Sequence, residues 1–319
     1  AISMAIPEIF APRCLRTMIL PLLVLFGCAS PGTDRPSPPE VSPPRIVAIG
    51  DLHGDLNGAR AALRLAGAID ATDHWIGDNM IVVQTGDILD RGDDESKIME
   101  LFRRLGEEAD EKGGAVHVLN GNHELMNAYL DYRYVTEGGF RDFGDGVEID
   151  PADSVLASFE PGERARVAAF RPGGPMAKVL AEQPFHVVVE KSVFTHGGIL
   201  PEHIEAGLGA MEATVRAWLL GEIPMPEWIR GDLSPVWTRL YSSNPDSAAC
   251  DVLSSVLDSL GLDRMVVGHT VQSTGITAYC GGRVWCIDVG IAAHYGGVPE
   301  VLEIQGDRVR SLRSGLPGG

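Results

Sequence analysis

Short apolar, β-rich runs recur along the chain, and each one leads into a polar turn built on glycine. They occupy residues 45–49, 80–85, 115–119, 185–195 and 264–267. In the first part they alternate with helical patterns: strand 46–49, helix 56–65, strand 81–84, helix 95–108, strand 116–119. That alternation predicts an α/β fold with a parallel sheet. From about residue 264 the pattern changes to short strands at 265–267, 275–279, 284–288 and 298–304, joined by glycine turns. Two sheets packed together and flanked by helices fit this order best. Residues 125–182 and 199–260 hold most of the Pro, Gly and helical segments and are expected to form a cap over the strand ends.

The turns after these strands carry the chemistry. They read Gly50-Asp51-Leu52-His53-Gly54, Gly86-Asp87-Ile88-Leu89-Asp90-Arg91-Gly92, Gly121-Asn122-His123-Glu124, His196-Gly197 and Gly268-His269. Open α/β sheets bind ligands at the carboxyl ends of their strands. Glycine there allows close approach of backbone to ligand. Asp51, His53, Asp87, Asn122, His196 and His269 form an oxygen-and-nitrogen donor set, enough for two metal ions if Asp87 bridges them. With no cysteine among them, Mn, Fe or Zn is expected. Paired metals suit phosphoester hydrolysis, because they neutralise the phosphate and acidify a water. His123 follows Asn122 directly and should point away from it, free to protonate a leaving alkoxide. Asp90 would orient that imidazole or else cap a helix. Arg91 offers a planar fork matched to phosphate oxygens; the alternative for it is a surface ion pair.

Composition narrows the partners. Forty-four Asp and Glu against 26 Lys and Arg give a net charge of −18. No basic nucleic-acid footprint is expected on such a chain. At the N-terminus, Arg13 and Arg16 precede an apolar run over 18–26, and Leu25-Phe26-Gly27-Cys28 follows. This reads as a signal peptide over residues 1–27. Its ending resembles a bacterial lipobox, with Cys28 as the lipidated residue; an ordinary secretory signal is the alternative. Residues 28–44 form a Pro-rich tether, and the catalytic domain is expected over 45–319. The chain is therefore expected in the bacterial cell envelope, lipid-anchored, with its domain in the periplasm. Disulfides form in such a compartment. A tight loop at 282–284 would set Cys280 opposite Cys286 for a bridge, leaving Cys250 the odd thiol.

The blocks 50–54, 86–92 and 121–124 resemble the signatures of calcineurin-like metallophosphoesterases, within them the phosphoprotein phosphatase family. Asn122-His123-Glu124-Leu125-Met126-Asn127, Arg133-Tyr134-Val135-Thr136, Thr195-His196-Gly197-Gly198, Pro235-Val236-Trp237-Thr238-Arg239, Val267-Gly268-His269-Thr270 and Ile287-Asp288-Val289-Gly290 are similar to blocks of the Shewanella-like protein phosphatases. The resemblance implies a four-layer αββα sandwich with a helical cap. It implies Asp51, His53 and Asp87 on one metal, and Asp87, Asn122, His196 and His269 on the other. It further implies His123 as proton donor oriented by Asp90, and Arg91 and Arg239 gripping phosphate beside the metal-bound Asn122, with Arg133 as a further substrate contact. Attack would come from metal-bound hydroxide without a phosphoenzyme. The substrate would be a phosphorylated protein, on tyrosine or on serine/threonine, or a small phosphoester.

Two other classes compete. A nucleotide or dinucleotide-polyphosphate hydrolase shares these blocks but usually carries Asp where Glu124 stands, and would want an aromatic pair for the base. A non-catalytic binding module would keep the fold without the chemistry.

Overall fold

In β1 (Ile46–Ile49) successive side chains face opposite ways, as a pleated strand requires. Ile46 and Ala48 enter one apolar cluster, Val47 and Ile49 another. This alternation sets the layers of the whole domain. The computed structural model describes residues 43–144 and 146–313. The expected signal peptide, Cys28 and the tether up to residue 42 lie outside the described residues.

Along the chain follow α1 (Leu56–Ala66), β2 (Ile81–Gln84), α2 (Glu95–Asp110), β3 (Ala115–Val118) and α3 (Asn122–Ala128). Four short helices come next: α4 (Glu137–Asp142), α5 (Ser154–Ala157), α6 (Arg164–Phe170) and α7 (Pro175–Leu180). The second half holds β4 (His186–Val189), β5 (Ser192–Thr195), α8 (Pro201–Ala206), α9 (Leu208–Leu219), α10 (Ser247–Leu260), β6 (Arg264–Val267), β7 (Thr277–Tyr279), β8 (Val284–Cys286), β9 (Glu300–Gln305) and β10 (Arg308–Arg313).

The strands form two five-stranded sheets, ordered β10-β9-β1-β2-β3 and β4-β5-β6-β8-β7. The core strands β1, β2 and β3 are parallel, and so are β5, β6 and β8. Inward residues of both sheets meet in one cluster: Ile46, Ala48, Val83, Phe194, Val266, Leu302 and Ile304. On the outer face of the first sheet, Val47, Ile49 and Val82 meet Leu63, Ile98, Phe102 and Leu105 of α1 and α2. On the outer face of the second, Val193, Met265 and Val267 meet Leu253, Val256 and Leu257 of α10. Helix, sheet, sheet and helix thus stack as four layers, with helices on both sides of the two mixed sheets.

Several expectations are corrected. The run 185–195 is a hairpin and not one strand, turning at Glu190, whose φ is +51°. Within 125–182 and 199–260, residues of α3, α6, α7 and α9 share one cluster with Leu89 beside the strand ends, but α10 lies against the second sheet. The disulfide joins Cys250 to Cys280, not Cys280 to Cys286. Register explains this: Thr277 faces Cys286 and Tyr279 faces Val284, so Cys280 lies past the paired residues. The Cys286 side chain is buried and joins the α10 cluster, where burial pushes its thiol up to about 12. Among the described residues no helix is long and apolar enough to cross a membrane.

Candidate metal centre

Five residues of the strand-end turns have positive φ although none is glycine: His53 (44°), Asp87 (59°), Asp90 (68°), Arg91 (67°) and His269 (66°). Each such residue costs about 1–3 kcal/mol, and strain of this kind collects at functional sites. The surrounding hydrogen bonds hold it. Leu52 and His53 N–H both donate to Asp87 O at 2.9 Å, and Gly54 N–H donates to Ile88 O at 2.7 Å. The first two turns thereby brace each other. The third braces the second through Glu124. Its carboxylate accepts from Asp87 N–H (2.8 Å), Ile88 N–H (2.9 Å), Leu89 N–H (3.1 Å) and Gly121 N–H (2.7 Å). Glycine is required at Gly268, where a β-carbon would sit 2.5 Å from Asp51 Oδ1.

Three imidazoles are each tied by one nitrogen to a backbone carbonyl. His53 Nδ1–H donates to Leu89 O (2.9 Å), His196 Nδ1–H to Thr85 O (2.9 Å), and His269 Nε2–H to Trp237 O (3.1 Å). The opposite nitrogens converge on Asp87. Such carbonyl anchoring fixes tautomer and ring direction in metal sites. Asp87 Oδ2 lies 3.2 Å from His196 Nε2, 3.9 Å from His53 Nε2 and 3.8 Å from His123 Nε2. Two donor triads result, His53–Asp87–His123 and Asp87–His196–His269, each with donors within 4.8 Å of one another. Asn122 Oδ1 is 2.9 Å from His196 Nε2. Asp51 accepts from His269 N–H and has Oδ2 4.0 Å from His53 Nε2.

The electrostatics suit a cation. Burial pushes His53 down to about 3, so it stands neutral, the state in which imidazole binds metal. Burial and the neighbouring His196 also hold His269 well below its usual value. His196 is pushed up to about 9, because Asp87 and Asp51 outweigh its burial. Burial opposes charge on Asp87, yet His196 and His123 outweigh it and hold that carboxyl well below its usual range. Asp51 is raised well above its range by burial and then by Asp288. A buried Asp87 carboxylate that keeps its charge, beside the neutral imidazoles of His53 and His269, fits a divalent or trivalent ion.

The remaining candidates border this cluster. His123 Nδ1–H donates to Asp90 Oδ2 at 2.5 Å. Burial lowers His123, but Asp87 and Asp90 together leave it raised. Arg91 Nη1 donates to His53 Nε2 (2.8 Å), with Tyr134 and Tyr295 rings at 4.8 and 5.2 Å from its guanidinium. Arg239 Nη1 donates to His269 O (2.8 Å) and Thr270 Oγ1 (2.9 Å). Arg133 is not brought in: it is 65% exposed and paired with Asp131. Sequence reasoning assigned no role to Glu124 or to Asp288, which is buried beside Asp51. The motifs containing them were the only signal. It assigned none to Tyr134 or Tyr295, whose proximity to Arg91 is tertiary.

A family model described as calcineurin-like phosphoesterase matches residues 44–273. Shewanella-like protein phosphatase 2 of Arabidopsis thaliana is 41% identical over 297 residues, covering 83% of this chain and 76% of that protein. Shewanella-like protein phosphatase 1 of Plasmodium berghei is 29% identical over 282 residues, covering 84% and 74%. A cold-active protein tyrosine phosphatase solved by crystallography has the same fold, with a TM-score of 0.68 at 24% identity over 84% of this chain and 76% of that one. With a family model spanning most of the domain and such a relative, the chain belongs to the calcineurin-like phosphoesterase family and is a phosphoester hydrolase.

Proposed function

We propose that the protein is a protein phosphatase, hydrolysing phosphomonoesters of tyrosine, of serine/threonine, or of both, at a dinuclear metal centre. The observation that carries this reading is Asp87 set within 4 Å of both His53 and His196, the first of them also near Asp51 and the second also near His269 and Asn122, with His123 Nε2 3.8 Å from Asp87 and its Nδ1–H held by Asp90. Asp51, His53 and Asp87 would hold one ion; Asp87, Asn122, His196 and His269 would hold the other. When bound, two such ions neutralise phosphate charge and supply a nucleophilic water at neutral pH. The donor set suits Mn, Fe or Zn.

The chain's own residues do the rest. Arg91, at His53, and Arg239, at the His269 carbonyl, would grip phosphate oxygens, Arg91 leaving His53 to do so. His123 gives the proton at Nε2 to the departing oxygen. Asp90 accepts from Nδ1–H, which keeps the other nitrogen facing the substrate. The protein-phosphatase names of the relatives support a phosphoprotein substrate. A nucleotide substrate would want aromatic faces for the base. Tyr134 and Tyr295 both turn toward the Arg91 guanidinium, which argues against that use.

Kinetics on matched phosphotyrosine and phosphoserine peptides, with diadenosine tetraphosphate as competitor class, test the reading in Mn-, Zn- or Fe-loaded protein. Preference for the dinucleotide would overturn it. His123→Ala should keep metal and lose about 10²–10⁴ in rate on a phosphoserine peptide, but less on an activated aryl phosphate.

We also propose that Cys28 is lipidated and holds the domain at the cell envelope, in the periplasm. The charged segment and apolar run before Cys28 support this. Cys28→Ser should release the protein from the membrane fraction. A wild-type protein that already fractionates as soluble would contradict it.

A further inference from the structure

Arg166, on α6, is fully buried, as are its partners Glu95 and Asp90. A buried guanidinium is tolerated only when its donors are satisfied and its charge is matched. Here both conditions are met. Nε donates to Asn127 Oδ1 (2.8 Å), Nη1 to Gly139 O (2.8 Å) and to Glu95, and Nη2 to Glu95 Oε1 (3.0 Å) and Asp90 Oδ1 (3.3 Å). The Phe143 and Phe170 rings lie 5.2 and 5.0 Å from it. Glu95 in turn accepts the Asp90 N–H. Asn127 Nδ2 donates to Asp90 Oδ1 (2.9 Å) and to His123 O (2.9 Å).

The groups facing Asp90 are therefore His123 on one oxygen and Asn127 and Arg166 on the other. Asp90 and Glu95 are two buried carboxylates that share the Arg166 guanidinium. Without Arg166, two carboxylates would stand together in a dry site, and the oxygen of Asp90 opposite His123 would lose a donor.

We propose that Arg166 and Glu95 are positioning residues that hold Asp90, and through it His123, in the proton-donating arrangement. Through Arg166, α6 thereby becomes part of the leaving-group machinery. This inference rests on the phosphatase reading and on His123 as the acid.

The test uses Arg166→Met and Glu95→Gln in Mn-loaded full-length domain, with two substrates. On a phosphoserine peptide, whose leaving oxygen needs a proton, kcat should fall by about 10-fold or more, part of the full general-acid effect. On p-nitrophenyl phosphate, whose leaving group needs none, kcat should change by less than about 3-fold. In a His123→Ala background neither substitution should cost anything further. The far-downfield proton NMR signal of His123 Nδ1–H should shift or vanish in both variants. If Arg166→Met does not fold, Glu95→Gln decides, since it keeps the shape and removes the charge. Equal losses on both substrates, or an additive loss beside His123→Ala, would overturn the coupling and leave the phosphatase reading standing. Failure of wild-type protein to cleave either substrate would instead overturn the reading on which it rests.

Discussion

Glu124→Gln is the substitution whose cost follows most directly from the geometry. The Glu124 carboxylate accepts four backbone N–H groups, two on each oxygen: Ile88 and Leu89 on Oε1, Asp87 and Gly121 on Oε2. It is buried, only 2% exposed. Glutamine turns one oxygen into a donor, and either rotamer sets an NH2 against two N–H groups. A buried donor that loses its acceptor costs about 1–3 kcal/mol, so the change should cost about 2–6 kcal/mol. That is a large share of the about 5–15 kcal/mol by which a domain is stable. The four N–H groups include those of Asp87 and of the next two residues, so the turn presenting Asp87 should loosen and metal affinity should fall as well. Urea unfolding followed by tryptophan fluorescence, together with metal titration, reads both effects. A loss under about 1 kcal/mol with unchanged metal affinity would refute the view that Glu124 holds this turn.

Three further outcomes follow. Arg91→Lys should lower kcat/KM sharply on every phosphomonoester, because a point charge replaces a fork; near-normal efficiency would count against a phosphate-gripping Arg91. Asp90→Asn should move the alkaline limb of kcat/KM on a phosphoserine peptide to lower pH. The sign follows from His123, whose value is raised by Asp87 and Asp90 against burial, so removing one carboxylate brings its deprotonation down; a limb that stays in place would contradict the assignment. Cys250→Ser opens a disulfide spanning 30 residues and should cost about 3 kcal/mol in unfolding free energy, with kcat unchanged; a loss of kcat in folded protein would show that the bridge also shapes the site.

Much of the site is local in sequence, which is why it was legible there. Asp51 and His53 share one turn, and Asp87, Asp90 and Arg91 share the next. The strand before each turn carries its own apolar pattern, and residues 81–84 were read with the bounds that β2 shows. Contacts between distant segments were not legible. Arg166 lies 76 residues from Asp90, and an arginine in a short helix reads as surface charge until its burial is seen. The pairing of Cys250 with Cys280 depends on α10 packing against the second sheet, which spacing does not encode. Arg133 sits within a motif, yet Asp131 two residues before it takes up its guanidinium. The return of β9 to pair with β1 needed the strand order of the sheet, because its short apolar run is equally suited to either sheet.

The central claim is that Asp87 joins two metal sites into one catalytic centre. Metal stoichiometry measured alongside activity, for wild type and Asp87→Ala, tests it most directly. Wild type should bind about two ions per chain, with kcat rising only as the second is filled. Asp87→Ala should bind fewer and lose turnover. Full activity at one ion per chain, or near-normal turnover with two ions in Asp87→Ala, would contradict it.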